Sequence, residues 1–463
     1  MGSKLAMFGG TPAVPREQRH VQWPVITSAD QDAMLRVLAS GTFTANSQGE
    51  QEVPGLEQEW ARFVGSRYAI GVSNGTAAIA MALMALGVQP GEEVLVPALS
   101  FIASALAPLH QLIIPVFVDI DPHTFTIDPA QIEAKITPRT RAIIPVHLHG
   151  LPADMDEIRA LARKYDLFVV EDAAQSHGAM YKGQMTGTLS DMAAFSLNVQ
   201  KNLPTCGEGG LITTNDSVLY EKMIMLRQFG EVIIDGEQRN YVSHILGWNN
   251  KLNAVQAAFT RSQLERFPQY EAARQRNVSA FLGQLAELPG LRVPLVPADR
   301  THAWHILRLR FDPQAAGLDD LSPGQFRQAL RRVLRAEGVP ISQYQLIPLP
   351  GQHIFQTQEG YGRGYPWTLP GVAPQHYAIA DYPNTLAVIE DSLTLQRRHL
   401  NPNTGPLLDL YATAFHKIWE NLEQVRRIAR SRPYQTSWHT IVSRGPHIPG
   451  YSCTTPAETA LHE

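Results

Sequence analysis

The chain has 463 residues, 44% of them hydrophobic, which is enough for two cores of ordinary domain size. Lys and Arg number 39 against 43 Asp and Glu, a net charge of −4 without a basic run, so nucleic acid is not expected as a partner. Two cysteines, Cys206 and Cys453, are too few for a disulfide framework or a cysteine metal cluster, and Cys206 reads as a small filler. The longest uncharged apolar run, 77–88, is too short to cross a bilayer and no signal-peptide pattern opens the chain, so a cytoplasmic protein with no membrane partner is expected.

Residues 1–27 lack periodicity and read as an N-terminal arm that packs on a neighbour or stays mobile. Ser28 caps a helix that stops near Gly41; 42–49 reads as a loop, and a second helix covers 54–65. From 68 to 213 short apolar runs (68–72, 94–96, 114–118, 142–146, 167–171, 193–197 and 211–213) alternate with amphipathic ones such as 154–165. Strands so uniformly apolar are buried on both faces, which predicts an α/β domain over 28–253 with a mostly parallel central sheet flanked by helices. In such sheets ligands lie beyond the carboxyl ends of the strands.

After a helix over 216–227 and a turn at 230–236, a long helix over 254–285, bent at Pro268, leads into a smaller C-terminal α/β domain over 254–430. Its elements are a strand within 302–311, an amphipathic helix over 322–337 and a helical stretch over 407–429. Between them, 348–383 is rich in Gly, Pro, Tyr and Gln and reads as an irregular loop. Residues 431–463 are aperiodic and read as a tail, disordered or draped on a partner.

The chemistry centres on Lys201, which follows the apolar run ending at Ser196 and precedes Gly207, Gly209 and Gly210. An amine condenses with an aldehyde to a Schiff base best where burial lowers its pKa, and glycines let backbone pass close to a ligand. Asn74-Gly75-Thr76 opens an apolar helix. Free amides and a positive dipole end there are worth up to about 2 kcal/mol to an anion, which makes Gly75 and Thr76 a candidate phosphate cradle. Asp172 ends another apolar run, and a buried carboxylate beside a pyridine nitrogen keeps that nitrogen protonated.

Asn74-Gly75-Thr76, the 100–104 and 171–178 segments and the lysine stretch 195–210 occur in one fixed order. The set resembles the DegT/DnrJ/EryC1/StrS family of pyridoxal-phosphate sugar and cyclitol aminotransferases over about residues 9–425. The resemblance implies the fold-type I transferase architecture, pyridoxal 5'-phosphate as cofactor, and a small-molecule amino donor and keto acceptor. By the same resemblance Ser196 is a second phosphate-binding hydroxyl, Gln175 lies near the ring hydroxyl and Phe101 stacks on the ring. The loop 42–49 then lies near the substrate. Asn249 corresponds to a residue that crosses a homodimer interface to the partner's phosphate, so two shared sites are expected. Relatives commonly have Arg where this chain has Lys251, which keeps the charge but loses the planar fork.

The activity implied is transamination from an amino acid, glutamate or glutamine, with Lys201 as anchor and general acid/base. A dehydratase branch of the family has His in place of this lysine. The stretches 302–307, 337–344 and 386–400 look most like cyclitol and aminohydroxybenzoate-type members. Two other readings stay open: a different pyridoxal-phosphate reaction with the same residues (elimination, replacement or carbon–carbon bond formation), and a non-catalytic regulatory protein on the same fold. His147 and His149 would share one face of a strand at metal-site spacing, but no acidic or cysteine partner pattern accompanies them and no metal is expected. Many relatives carry Tyr at the place of His149, which favours a packing role, and His177 also reads as structural.

Overall fold

A computed structural model describes residues 4–45, 48–234, 237–431, 433–436 and 438, so most of the expected tail lies outside the described residues. In chain order the strands are β1 Tyr68–Val72, β2 Glu93–Pro97, β3 Ile114–Val118, β4 Thr140–Ile143, β5 Phe168–Asp172, β6 Met180–Tyr181, β7 Gln184–Met185, β8 Met192–Ser196, β9 Gly210–Thr214, β10 Leu291–Arg292, β11 Ile306–Phe311 and β12 Ser392–Gln396. Seven of them form one sheet in the order β1-β9-β8-β5-β4-β2-β3, parallel except where β9 runs antiparallel to both neighbours. The expected mostly parallel sheet is therefore present. Its strands are buried almost throughout because helices cover both faces, among them Gly75–Ala85 on one side and Met155–Tyr165 on the other.

The run 142–146 pairs regularly only as far as Ile143. Pro145 has no N–H to give the ladder, and pairing resumes for a single bridge between Val146 and Asp172. His147 and His149 therefore lie beyond the strand and do not share a strand face. His149 sits in a short 3₁₀ turn with a left-handed backbone (φ 61°). Among the described residues no group of three or more His, Cys, Asp or Glu could hold a metal ion.

The helix Ala254–Leu285 runs through Pro268 into the smaller C-terminal domain, whose three strands pair antiparallel in the order β10-β11-β12. Helices Pro323–Ala336, Gly405–Trp419 and Leu422–Arg430 pack on that sheet, and the expected helical stretch 407–429 is two helices. The first part of the arm is built into this core: Leu5 and Val14 are fully buried in it. Buried Glu337 fastens the arm, accepting from Ala6 N at 2.7 Å and Ala13 N at 2.9 Å while pairing with Lys417 Nζ at 2.8 Å.

The irregular 348–383 stretch contains a short helix, His353–Thr357, and has its own aromatic core. Phe355, Tyr377 and Tyr382 surround Phe117 of the edge strand β3 with ring centroids 4.9, 5.4 and 6.4 Å away, and Tyr377 Oη donates to Pro115 O at 2.9 Å. The loop thus covers a sheet edge that would otherwise be open to another strand. No helix among the described residues is long and apolar enough to cross a membrane.

Candidate active site

Four chain segments converge at one end of the large sheet. The carboxyl ends of β1, β2, β5 and β8 lead directly into Asn74-Gly75-Thr76, the 100–104 turn, Asp172 and Ser196, while β9 begins beside them with Gly210 opposite Val72 and Ser196. A cavity of ≈ 660 Å³ opens there. Its lining includes Gly75, Thr76, Phe101, Asp172, Gln175, Ser196 and Lys201, seven of the eight candidate residues.

Asn74 caps the helix Gly75–Ala85, its Oδ1 accepting from Ala77 N at 2.8 Å, and no described residue accepts from the amides of Gly75 and Thr76. A Cβ at position 75 would stand 2.8 Å from Ser196 Cβ, so only glycine lets this helix end approach the Ser196 hydroxyl. Two free amides at a helix start, beside a hydroxyl, form an anion cradle.

Asp172 is buried, and successive strand residues point to opposite faces, so it faces the cavity while Glu171 faces the other way. Ser104 Oγ donates to Asp172 Oδ2 at 2.7 Å and lies 2.9 Å from Ser100 Oγ, which fixes the carboxylate from the neighbouring turn. Glu171 is consumed structurally: it accepts from Gly187 N, Leu189 N and Ser190 Oγ and meets His147 Nε2 at 2.9 Å. Gln175 Oε1 accepts from His149 N at 2.8 Å, which turns its amide nitrogen into a free donor. Phe101 is 54% exposed although it lines the cavity, leaving its ring open to a stacking ligand.

Lys201 Nζ opens onto the cavity without a hydrogen bond or ion pair to any described residue. Burial pushes its pKa down from 10.5 to about 8, helped by the Arg397 charge and opposed by the attraction of Asp172. His177, packed between Trp60 and Phe195, is pushed down to about 3 by burial and then by Lys201, so it is a neutral spacer. His149, with neither ring nitrogen hydrogen-bonded, is likewise held well below its ordinary range by burial.

The depressed lysine makes cofactor-free stability depend on pH. Below about pH 8 both folded and unfolded states hold the proton, and the folded state bears the full cost of the buried charge. Between there and 10.5 the unfolded chain binds more protons, so stability rises with pH. Lys201→Met is expected to stabilise the cofactor-free protein by about 1–3 kcal/mol at pH 7, with the gain fading toward pH 10. Urea unfolding at pH 7 and 9.5 checks this; the same gain at both would contradict it.

Asn249 is not brought to the cavity of its own chain: it is exposed outside it, its Oδ1 bonded by Lys251 Nζ. Lys251 lies 4.6 Å from the Phe229 ring centroid and burial lowers its pKa. Cys206 is exposed, so it is not a buried filler. Residues that the sequence reading did not single out as ligands also line the cavity: Asn198, Gln200, Glu208, His305, Tyr344, Gln396 and Arg397. A charged pair directly after the alternating run Ser392–Gln396, Arg397-Arg398, was the available signal for the last of these.

The model of the DegT/DnrJ/EryC1/StrS aminotransferase family matches residues 24–369. The dTDP-3-amino-3,4,6-trideoxy-alpha-D-glucose transaminase of Streptomyces venezuelae is 37% identical over 322 residues, covering 67% of this chain and 82% of its own length. The solved structure of S. venezuelae DesV in complex with a ketimine intermediate matches with a TM-score of 0.70 and 32% identity, over 84% of this chain and 94% of that one. That of 3-amino-5-hydroxybenzoic acid synthase matches with a TM-score of 0.74 and 30% identity, over 86% of this chain and 99% of that one.

Proposed function

This chain belongs to the DegT/DnrJ/EryC1/StrS aminotransferase family, and from that premise we propose that it moves an amino group from an amino acid, glutamate or glutamine, to a ketone of a sugar, cyclitol or related biosynthetic intermediate. The observation that carries this is one cavity holding Lys201, Asp172 and the free amides of Gly75 and Thr76. That set fits pyridoxal 5'-phosphate, a group with a phosphate, a ring nitrogen and an aldehyde. When bound, the cofactor supplies the aldehyde carbon and an electron-withdrawing ring.

The rest falls to the chain. Gly75, Thr76 and Ser196 take the phosphate; Phe101 covers a ring face; the Gln175 amide donates toward the ring hydroxyl. Asp172, oriented by Ser104, holds the proton on the ring nitrogen. Lys201 anchors the cofactor until a donor amine releases it, and its Nζ then takes the proton from the donor's α-carbon. An amine whose pKa burial lowers to about 8 can take up a carbon-bound proton and give one up again, as each half of the reaction requires. The exposed Asn249 is suited to completing the phosphate site of a second subunit, and the working unit in this reading is a cytoplasmic homodimer with two shared sites.

The test is the visible spectrum of the protein loaded with pyridoxal phosphate, before and after adding L-glutamate or L-glutamine. The long-wavelength band of the lysine-bound cofactor is expected to bleach with one of them. A new band with another amino acid would favour elimination, replacement or carbon–carbon bond chemistry. A band that no amine changes would favour a regulatory protein.

A further inference from the structure

The described part of the C-terminal tail, residues 433–436 and 438, lies against its own chain. Residues 434, 436 and 438 are half-buried while 433 and 435 are exposed, the alternation of an extended segment with one face covered. Two aromatic side chains fasten that face. Tyr434 Oη accepts from Arg327 Nη2 at 3.0 Å and donates to Glu390 Oε1. Trp438 packs on a cluster that joins Leu99, Phe125 and Leu148, beyond the carboxyl ends of β2, β3 and β4, to Val388 and Ile389 of the helix Pro383–Asp391.

The seat for Tyr434 is built into the fold. Gly324 is the second residue of the helix Pro323–Ala336, where its backbone conformation requires no glycine. A Cβ there would collide with Tyr434 Oη and Glu390 Oε1. Glycine weakens a helix relative to alanine, so its use here is explained by the room it leaves for the tyrosine. Arg327, only 4% exposed, spends the rest of its fork beside this contact: Nε donates to Glu390 O at 3.0 Å and Nη1 to Gln343 Oε1 at 2.6 Å.

Both contacts lead to one residue of the active-site wall. Gln343, held by the arginine that holds Tyr434, immediately precedes Tyr344, which lines the cavity with Lys201. From the other side, the Tyr344 ring meets the His149 ring at a centroid distance of 6.5 Å, and His149 meets Phe125 of the Trp438 cluster at 6.1 Å. Neither ring nitrogen of His149 has a hydrogen bond, so packing alone fixes that ring and, through it, the face of Tyr344. We propose that Tyr434 and Trp438 are positioning residues: the tail segment sets the place of Tyr344 in the cavity and thereby the affinity for the amino donor. The placing of Tyr344 stands on this geometry; its effect on the donor rests on the transaminase reading above.

The test uses Gly324→Ala, which displaces Tyr434 without altering the tail, and Trp438→Ala, each loaded with pyridoxal phosphate and each made with Tyr344 present and with Tyr344→Ala. Protein grown with 3-fluorotyrosine reports Tyr344 directly, its fluorine resonance being identified by its loss in Tyr344→Ala. Both variants should shift or broaden that resonance and leave that of Tyr181, buried in a separate cluster, in place. The lysine-bound absorption band and cooperative unfolding should be retained. The half-saturating concentration of L-glutamine or L-glutamate should rise about 3- to 10-fold while Tyr344 is present and by less than about twofold in Tyr344→Ala, because residues that act through one another are not additive. An unmoved Tyr344 resonance in both variants would overturn the proposal whatever reaction the enzyme catalyses. So would a rise of equal size with and without Tyr344, which would make the tail a general brace of the fold. A moved resonance with unaltered half-saturation would overturn the positioning role too, and so would loss of the band in either variant. If no amine bleaches the wild type, the transaminase reading falls, and the resonance alone decides the placing of Tyr344.

Discussion

Lys201→Ala is expected to hold pyridoxal phosphate without a covalent bond and to lose transamination by on the order of 10⁵-fold or more, with its unfolding cooperativity and elution volume unchanged. The loss is large because one amine both anchors the cofactor and moves the proton, and nothing in the cavity replaces it. The nearby imidazoles are neutral and poor proton acceptors: His177 is pushed down to about 3 by burial, and His305 falls well below its ordinary range for the same reason. The cavity lining contains no second lysine. The structural cost is small, since Lys201 Nζ makes no hydrogen bond or ion pair to a described residue and its charge is a burden to the empty fold. A small amine added to the medium should restore part of the proton transfer, in proportion to its unprotonated fraction. Single-turnover bleaching with the donor measures all of this, and turnover above a hundredth of wild type would sink the role.

Much of this site could be read from the chain because its large-domain half is local. Gly75, Thr76, Phe101, Asp172, Gln175, Ser196 and Lys201 each lie at or just beyond the carboxyl end of an apolar run that becomes a strand of the large sheet, and strand ends on one side of a sheet converge whatever the intervening helices are. The small-domain half was not legible. Arg397 lies 196 residues from Lys201 in the chain, and its approach depends on how β11 and β12 dock, which no local pattern encodes. Ser104 was inside a recognised segment, but its bond to Asp172 spans 68 residues. Pro145 was visible inside the run 142–146 and marks where the ladder breaks; the apolar content of that run masked it. The left-handed conformation of His149 had no signal, because a non-glycine residue adopts it only when its surroundings demand it. The arm read as packing on a neighbour or staying mobile because its anchor, Glu337, lies 331 residues from Ala6.

Asp172→Asn is expected to retain cofactor and lower the rate of donor bleaching by roughly 10²–10³-fold. The substitution keeps shape: an Asn oxygen can still accept from Ser104 Oγ, which donates to the carboxylate at 2.7 Å in the wild type. Only the negative charge goes, and with it the preference for a protonated ring nitrogen, so proton removal from the donor's α-carbon should slow while donor affinity stays near wild type. Asp172 also draws a proton toward Lys201, opposing the effect of burial. Removing that attraction should lower the lysine pKa further in the cofactor-free protein and make covalent loading at pH 7 faster. Faster loading with slower bleaching is a combination that simple unfolding of the site would not produce. Asp172→Ala leaves room at the same place, and a cofactor analogue methylated on its ring nitrogen carries the positive charge permanently. That analogue should recover a substantial part of the lost rate in the alanine variant and none in Lys201→Ala. A bleaching rate in Asp172→Asn within threefold of wild type, or equal failure of both cofactors in Asp172→Ala, would separate Asp172 from the ring nitrogen.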